Sequence, residues 1–394
     1  MDLVTAFMIA MGAAFSATLL ATPAFARWAV RHGWIDRPDA ERKRHARPTP
    51  VGGGVAIVAG VLAGMAALAA LPGIALPFSP AVLLGGVLIV LTGLRDDARG
   101  VGFKSKFLVQ IIVAYVLMAG GYRLDPTGLP FVGEDAFQHA LIAIPLTLLW
   151  IVGVINAVNL TDGADGLAAG TSMIGFAALA AVFTLGGHLG LAACGLVIAA
   201  ALAAFLRYNT NPASIFMGDT GSLFLGYALA VYGLSARTHA DPWLAIAIPA
   251  LAAGFPILDT ALAFLRRAVQ RRAICAPDAD HIHHRLIRRM SVRRSVGTLY
   301  ALSGCFGLAA ILISVSTPRT GFAVVATMVG AAGMLVHQLG YFRRTAADEK
   351  IFSSDDSLIS EPGVPMPVAP GSSVDHILMP PPVPASPPAG PVAA

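Results

Sequence analysis

The chain has 394 residues, of which 56% are hydrophobic and 12% are charged, and its mean hydropathy is +0.72. Soluble domains carry about 25% charged residues, so too little charge is present to keep a surface of this size in water. The composition therefore excludes a soluble enzyme, a disordered scaffold or a secreted disulfide module as a description of the whole chain.

Eleven apolar stretches follow one another along the chain, and each is a candidate transmembrane helix. A bilayer offers no water to backbone groups, so a spanning helix needs about 20 largely apolar residues. The stretches centre on roughly 3–26, 51–71, 81–95, 107–121, 139–156, 167–186, 189–206, 215–235, 243–264, 298–316 and 321–341. We predict an all-α polytopic integral membrane protein with about 11 transmembrane helices.

The basic residues predict the orientation, because Lys and Arg stay on the cytoplasmic side. Of the 27 Lys and Arg residues, 24 fall on one side of this map, and the other three are Arg123, Arg237 and Arg319. We therefore expect the N-terminus outside and the C-terminus in the cytoplasm. The predicted domains are a transmembrane catalytic domain at 1–345 and a Pro-rich, disordered cytoplasmic tail at 346–394.

Six acidic residues stand against the membrane, all at predicted cytoplasmic ends of spans. They are Asp96, Asp97, Asp162, Asp165, Asp219 and Asp259. An Asp toward the centre of a spanning helix costs about 2.5–3.5 kcal/mol to insert, so such residues are functional candidates. A transport pathway would need polar groups across the depth of the bilayer, whereas an enzyme acting on cytoplasmic substrates needs them at one face.

The first acidic motif is the pair Asp96-Asp97 at the end of the third span. Two carboxylates repel by about 4 kcal/mol at roughly 4 Å and an effective dielectric near 20, and a cation relieves this repulsion. The alternative is a helix end with two solvated acids beside Arg95. Lys104 and Lys106 keep the following segment basic.

The second motif places two Asn and two Asp at a spacing of three residues. It comprises Asn156, Asn159, Asp162 and Asp165. Gly163 and Gly166 let the backbone turn and approach a ligand closely. An ordinary polar loop at the cytoplasmic face would carry Lys or Arg, and this one has none; the acid spacing of a calcium-binding EF-hand is also missing.

Two further motifs follow. Asn209 precedes Asp219, which lies between glycines at a predicted helix start, where a carboxylate can hold a hydrated divalent cation while backbone N–H groups meet phosphate. A helix N-cap is the equal alternative for Asp219.

The run Asp280-His281-Ile-His283-His284-Arg285 lies in a strongly basic loop. This charge favours anion binding over a transition-metal site, and binding of lipid headgroups is the alternative.

Together these motifs place carboxylates for Mg²⁺, Asn and Gly for a nucleotide, and His, Arg and Lys for phosphates at one face. Mg²⁺ prefers few carboxylates together with substrate phosphates. The inferred chemistry is phosphoryl transfer from a cytoplasmic diphosphate donor to a membrane-resident acceptor.

In this order, the motifs resemble those of the polyprenyl-phosphate N-acetylhexosamine-1-phosphate transferases, also called glycosyltransferase family 4. The basic segment 42–45 with 48–53, near the start of the chain, also matches, and the resemblance covers about 27–344. It implies a reaction of a UDP-N-acetylhexosamine with undecaprenyl or decaprenyl phosphate that releases UMP. The implied cofactor is Mg²⁺, with Mn²⁺ as an alternative, and the implied location is the bacterial inner membrane with a cytoplasmic active site.

The resemblance also implies residue roles. Asp219 is the main metal ligand with Asp96 and Asp97 beside it, and Asp96 or Asp97 accepts the proton of the lipid phosphate. The implied substrate-binding residues are Lys104, Asn156, Asn159, Asp162, Asp165, Asn209, His281, His283, His284 and Arg285. Direct displacement and a phospho-Asp intermediate both stay open.

Within the family, the peptidoglycan branch more often has three consecutive His, and here Ile282 interrupts the run. This favours a UDP-GlcNAc donor over a phospho-MurNAc-pentapeptide donor.

Membrane lipids are expected partners and nucleic acid is not. A homodimer and glycan-assembly partners both stay open. The rival class is a proton-coupled secondary transporter, which predicts acids near midplane and broken helices in matching halves; neither is evident in the sequence.

Overall fold

The computed structural model describes residues 3–37, 48–71, 76, 79–124, 136–236, 241–269 and 281–341. Predictions on the basic segment 42–45, on Asp280 and on the tail at 346–394 lie outside these residues and stay predictions. In the described part the regular structure is almost entirely helical, as predicted, and a single antiparallel pairing joins β1 (Ile35–Asp36) to β2 (Thr49–Pro50).

The described residues form thirteen helices. Their bounds are α1 (Leu3–Arg31), α2 (Gly54–Ala69), α3 (Pro80–Arg99), α4 (Phe103–Ala119), α5 (Ala136–Thr161), α6 (Leu167–Leu185), α7 (Leu189–Asn209), α8 (Gly218–Leu234), α9 (Pro242–Ala252), α10 (Gly254–Val269), α11 (Ile282–Arg289), α12 (Val292–Ser314) and α13 (Pro318–Gln338).

Six of these helices are long and apolar enough to cross a membrane, and the count rises to seven if α9 and α10 form one bent span. Large apolar side chains such as Leu20, Leu149 and Val329 are about two-thirds exposed, as expected where lipid rather than water covers the surface. The chain is therefore a multi-pass, all-α membrane protein. The finer count of 11 spans and the orientation stay predictions.

The predicted ninth span, 243–264, is not a continuous helix. α9 and α10 meet at Ala253 with a bend of 91°. Pro256 has no N–H to donate to the carbonyl of Ala252, and Pro249 lies inside α9, so two prolines weaken the hydrogen-bond ladder on either side of the break. An interrupted helix is thus present. A secondary transporter would have a second interrupted helix at the matching place in its other half, and none is found among the described residues.

Helix α8 lies at the centre of the bundle, against α2, α3 and α5. Glycines allow the backbones to touch: a Cβ on Gly54 would come within 2.0 Å of the Gly221 nitrogen, and one on Gly93 within 2.5 Å of the Thr220 Cα. Such close approach is typical of helix packing in lipid. The N-terminus of α8 is consequently enclosed by the ends of its neighbours.

A β-type pairing fixes the loop that precedes α8. Phe216 donates its N–H to the carbonyl of Pro50, and the N–H groups of Gly53 and Gly54 donate to the carbonyls of Phe216 and Met217, each at 2.9 Å. The segment between β2 and α2 therefore holds the start of α8 in place across a sequence separation of more than 160 residues.

Candidate active site

Asp97 binds the N-terminus of α8. Its Oδ1 accepts a hydrogen bond from the backbone N–H of Asp219 at 2.8 Å, and its Oδ2 accepts from the backbone N–H of Thr220 at 3.0 Å and from the Thr220 hydroxyl at 2.6 Å. These N–H groups belong to the first turn of the helix, where intrahelical partners are absent. Burial raises the pKa of Asp97 to about 6, although the bonds from Thr220 oppose this shift, so the group is ionised at pH 7.

This contact revises two expectations. Asp97 has three donors on its carboxylate, which suits a residue that holds α8 rather than one that is free to take a proton. The first-turn N–H groups of Asp219 and Thr220 already donate to Asp97, so the predicted contact between these backbone groups and a phosphate does not fit this arrangement.

Asp219 lies at the centre of a cluster of polar side chains from three other helices. Lys106 of α4 donates to its Oδ2 at 2.7 Å, and Asn159 of α5 donates to its Oδ1 at 3.2 Å. The same Lys106 nitrogen lies 3.3 Å from Oδ1 of Asp96 at the end of α3. The structure therefore brings Asp96, Asn159 and Asp219 together, with the Lys106 ammonium between the two carboxylates.

The lysine in this cluster is Lys106, whereas the prediction placed Lys104 there. Lys104 is exposed, and Lys106 is half-buried between acids. Desolvation alone would lower the pKa of Lys106, but the hydrogen bond and charge of Asp219 outweigh it and raise the pKa above its usual value. Lys106 therefore remains charged at neutral pH.

A charge-removing substitution distinguishes the two lysines. We expect Lys106→Gln to lower turnover by about 10²-fold, because it removes a preorganised positive charge from the site, and Lys104→Gln to leave turnover near that of the parent protein. The measurement is the turnover of purified protein, at saturating substrates, in the transfer reaction that the family resemblance implies. Equal losses of turnover in the two variants would show that Lys104 also acts in the site.

Asn156 and Asn159 lie on the same side of α5 but bind different groups. Asn156 donates to the side-chain carbonyl of Gln110 at 2.6 Å, and Asn159 also donates to the Ser222 hydroxyl at 2.8 Å. Gln110 is 2% exposed and Ser222 is fully buried. These bonds fix α5 against α4 and α8, so Asn156 serves to align the helices that carry the cluster.

Asp162 faces the cluster without a hydrogen-bond donor among the described residues. Its pKa lies well above the ordinary value, first because the carboxyl is removed from water and then because the charge of Asp219 disfavours ionisation. Partial burial and the charge of Asp219 likewise raise the pKa of Asp96. Carboxylates that suppress one another's ionisation form a site where additional positive charge would be stabilised.

These oxygen donors fit a magnesium ion by their chemistry. Mg²⁺ is bound by hard oxygen ligands, uses one or two protein carboxylates and completes its coordination with water and phosphate. Asp96 and Asp219 both contact the Lys106 ammonium, which shows that a cation is accommodated between them. In the described ranges no group of three His, Cys, Asp or Glu side chains forms a ready metal cage.

Asp165 and Asn209 organise loops. Oδ2 of Asp165 accepts from the Asn211 side chain at 2.8 Å and from the Ala213 N–H at 3.0 Å. Asn209 is 3% exposed; it accepts from the Gly166 N–H at 3.1 Å and donates to the Ile215 carbonyl at 2.9 Å. These contacts tie the α5–α6 loop to the α7–α8 loop, and the contact of either residue with a nucleotide stays a prediction.

The histidines are held by Asp259 of α10. Its Oδ2 lies 3.0 Å from Nδ1 of His281, and its Oδ1 accepts from the Ile282 N–H at 2.7 Å. His283 is 1% exposed, and its Nδ1 lies 3.5 Å from Oδ2 of Asp259. A Cβ on Gly163 would come within 2.6 Å of His283 Nε2, so this histidine abuts the loop that carries Asp162. The half-buried ring of His284 packs 4.1 Å from that of His283.

Arg285 lies away from this cluster. Its guanidinium donates to the Gly340 carbonyl at 2.9 Å and packs on the Tyr341 ring, and the residue is 7% exposed. The structure places Arg285 at the C-terminal end of α13, and its contact with a substrate phosphate stays a prediction. Carbonyl groups there attract positive charge because they lack intrahelical donors.

Four residues of the site were not assigned a site role from the sequence, namely Lys106, Gln110, Ser222 and Asp259. Lys106 and Gln110 stand four residues apart and so share a helix face. Two polar side chains on one face of an otherwise apolar helix were the sequence signal that could have indicated their role. Asp259 was recognised as a membrane-proximal acid, but its partner His281 is 22 residues away, and no local pattern indicates that pairing.

Comparison with known proteins gives consistent matches. Residues 79–237 match the family model described as glycosyl transferase family 4. The chain is 39% identical over 316 residues to a Bacillus subtilis (strain 168) protein named "Probable undecaprenyl-phosphate N-acetylglucosaminyl 1-phosphate transferase", covering 80% of this chain and 86% of that one. It is 36% identical over 316 residues to the decaprenyl-phosphate N-acetylglucosaminephosphotransferase of Mycolicibacterium smegmatis, covering 72% and 77%.

A phospho-N-acetylmuramoyl-pentapeptide-transferase of Chloroherpeton thalassium is 35% identical over 229 residues, which is 50% of this chain and 61% of that protein. Similarity to the N-acetylglucosamine enzymes therefore extends over more of the chain. The matched lengths, the identities and the order of the acidic motifs agree, and the chain belongs to glycosyl transferase family 4.

Proposed function

We propose that this protein transfers N-acetylglucosamine-1-phosphate from a UDP-linked donor to a polyprenyl phosphate, releasing UMP and initiating a lipid-linked glycan of the cell envelope. Two relatives that align over most of their length carry names with this activity. The observation that supports it best is the convergence of Asp96, Lys106, Asn159 and Asp219 at one end of the bundle.

Mg²⁺ is the proposed cofactor, held mainly by Asp219 with Asp96 beside it, and Mn²⁺ is the alternative. When bound, the ion would neutralise negative charge on the donor diphosphate. Asp97 keeps Asp219 in place by binding the first turn of α8, and Lys106 contributes a positive charge beside both acids. The buried His283 stands against the Asp162 loop, and its imidazole is the proposed contact for a phosphate of the donor.

The proton of the acceptor needs a carboxylate that is not already saturated with donors. Asp96 accepts one backbone hydrogen bond, from Val101 at 2.7 Å, and contacts Lys106; Asp97 accepts three. We therefore assign Asp96 as the proton acceptor. The acceptor oxygen then forms a bond to the donor phosphorus that carries the sugar, and the bond from that phosphorus to the UMP oxygen breaks.

The proposed topology follows from the charge distribution. The chain would lie in the bacterial inner membrane with about 11 spans, an external N-terminus and a cytoplasmic C-terminus. The ends of α3, α5 and α10 would then open to the cytoplasm, where UDP-sugars are made. Substituted-cysteine labelling at the exposed Lys104 checks this: impermeant maleimide should react in inverted vesicles and not in intact cells.

The direct test supplies membranes containing the protein with radiolabelled UDP-GlcNAc and undecaprenyl phosphate. We expect a lipid-linked radiolabelled product and stoichiometric UMP, both dependent on Mg²⁺. Membranes with the Asp219→Asn variant are the matched control. Product formed only from UDP-MurNAc-pentapeptide would move the chain to the peptidoglycan branch, and uptake by proteoliposomes without UMP release would favour the transporter class.

A further inference from the structure

Helix α13 is anchored at its C-terminal end. Along the helix only Gly321, Ala332 and Val336 are buried. The residues that follow it are different, because Leu339 is 5% exposed and Tyr341 is 1% exposed, among the largest fully buried side chains in the described part of the chain. The tight contact therefore lies where α13 ends, beside α10 and α11.

Two arginines bind the ring of Tyr341. The guanidinium carbon of Arg266 on α10 lies 4.9 Å from the ring centroid, and that of Arg285 on α11 lies 4.7 Å from it. Both arginines are less than 9% exposed. Arg285 and Arg289 also donate to the carbonyls of Gly340 and Leu339, at 2.9 and 3.1 Å. Aromatic rings and free helix carbonyls both attract guanidinium groups.

Helix α11 depends on its surroundings for its position. It has eight residues, too few to be stable alone, because helices shorter than about 12 residues are marginal in water. Asp259 holds its N-terminus through His281 and Ile282. Arg285 is one turn further on, and its N–H donates to the His281 carbonyl at 3.1 Å. Asp259 and the Tyr341 contact thus fix the two ends of the turn that bears the histidines.

We propose that Tyr341 is a positioning residue for the donor site: its ring fixes Arg285 and thereby sets where His281 and His283 stand beside the Asp162 loop. The proposal rests on the proposed function, in which His283 of this turn meets the donor diphosphate. It predicts that disturbing Tyr341 weakens use of the UDP-sugar selectively, because the proposed function assigns the histidine turn to the donor and not to the polyprenyl phosphate.

The test compares Tyr341→Leu with Tyr341→Phe in the full-length chain. Leu keeps an apolar side chain but offers no aromatic face, whereas Phe keeps the face and loses only the hydroxyl. We expect the Leu variant to raise the KM for UDP-GlcNAc about tenfold, since small displacements of binding groups have effects of this order or larger. The KM for undecaprenyl phosphate should be unchanged, and the Phe variant should match the parent protein. Met334→Ala, at a 64% exposed position of the same helix, is the control.

Several outcomes would overturn the proposal. Equal donor KM in the Leu and Phe variants would show that the aromatic face is irrelevant, and a rise in both substrate KM values would indicate a general loss of structure. Failure of the Leu variant to accumulate in membranes, where Phe accumulates normally, would assign Tyr341 a folding role only. Absence of any transfer by the parent protein would instead contradict the proposed function.

Discussion

Replacing Asp219 with asparagine is expected to reduce sugar-phosphate transfer by about 10³-fold or more while the protein stays folded. The side chain keeps its size and its contact with Asn159, but the charge between Lys106 and the proposed metal is lost. Removing one preorganised electrostatic group at a reacting centre costs about 10²–10³ in rate, and loss of metal affinity adds to this.

Stability should change much less than rate. An acid in the first turn of a helix contributes about 0.3–1 kcal/mol, whereas a 10³-fold loss of rate corresponds to about 4 kcal/mol. The measurement pairs initial rates across a Mg²⁺ titration with thermal unfolding in detergent. Asp241→Asn, at the N-cap of α9, is the matched control, and near-normal turnover by Asp219→Asn would disprove the metal assignment.

The second large effect is an expected difference between substitutions of the two adjacent acids, Asp96 and Asp97. Asp96→Asn is expected to lower kcat by about 10²-fold or more, the loss typical of a general base, with an unchanged apparent Tm. Asp97→Asn is expected to lower both kcat and the apparent Tm. Its amide would point an N–H at one of the two backbone N–H groups of α8, and a buried donor left without an acceptor costs about 1–3 kcal/mol.

Thermal unfolding distinguishes the two roles, because a loss of 1 kcal/mol shifts Tm by about 2–4 °C in a chain of 150–250 residues and by less in a longer one. An Asp97→Asn protein with the parental Tm and a severe loss of kcat would make Asp97 a chemical group rather than a support for α8. Full activity in both single variants would exclude a carboxylate of this pair as the proton acceptor.

Much of the helical layout follows from hydrophobic length alone. The predicted spans 167–186 and 189–206 lie within a few residues of α6 and α7, since glycines at 186 and 187 end one apolar run before the next begins. The break between α9 and α10 could not be predicted from hydrophobic length. Pro249 and Pro256 are both compatible with a kinked but continuous helix in lipid, and the 91° angle depends on packing against other helices.

The motifs identified the acids of the site because acids at membrane ends are costly and rare. They did not identify which partner each acid meets. Asp97 finds its donors 122 and 123 residues away, and the choice between Lys104 and Lys106 depends on which side of α4 faces α8. Residues two apart point in different directions on a helix, so only the tertiary arrangement decides between them.

The backbone pairing of the segment 50–54 with the loop before α8 has a consequence for biosynthesis. The start of α2, the end of α3 and the start of α8 must all be present before Asp219 is correctly placed. The histidine turn needs α10 and the end of α13 as well. Chains are made and inserted from the N-terminus. A nascent chain interrupted before Tyr341 would therefore contain the acidic residues of the site but lack the contacts that hold the histidine turn.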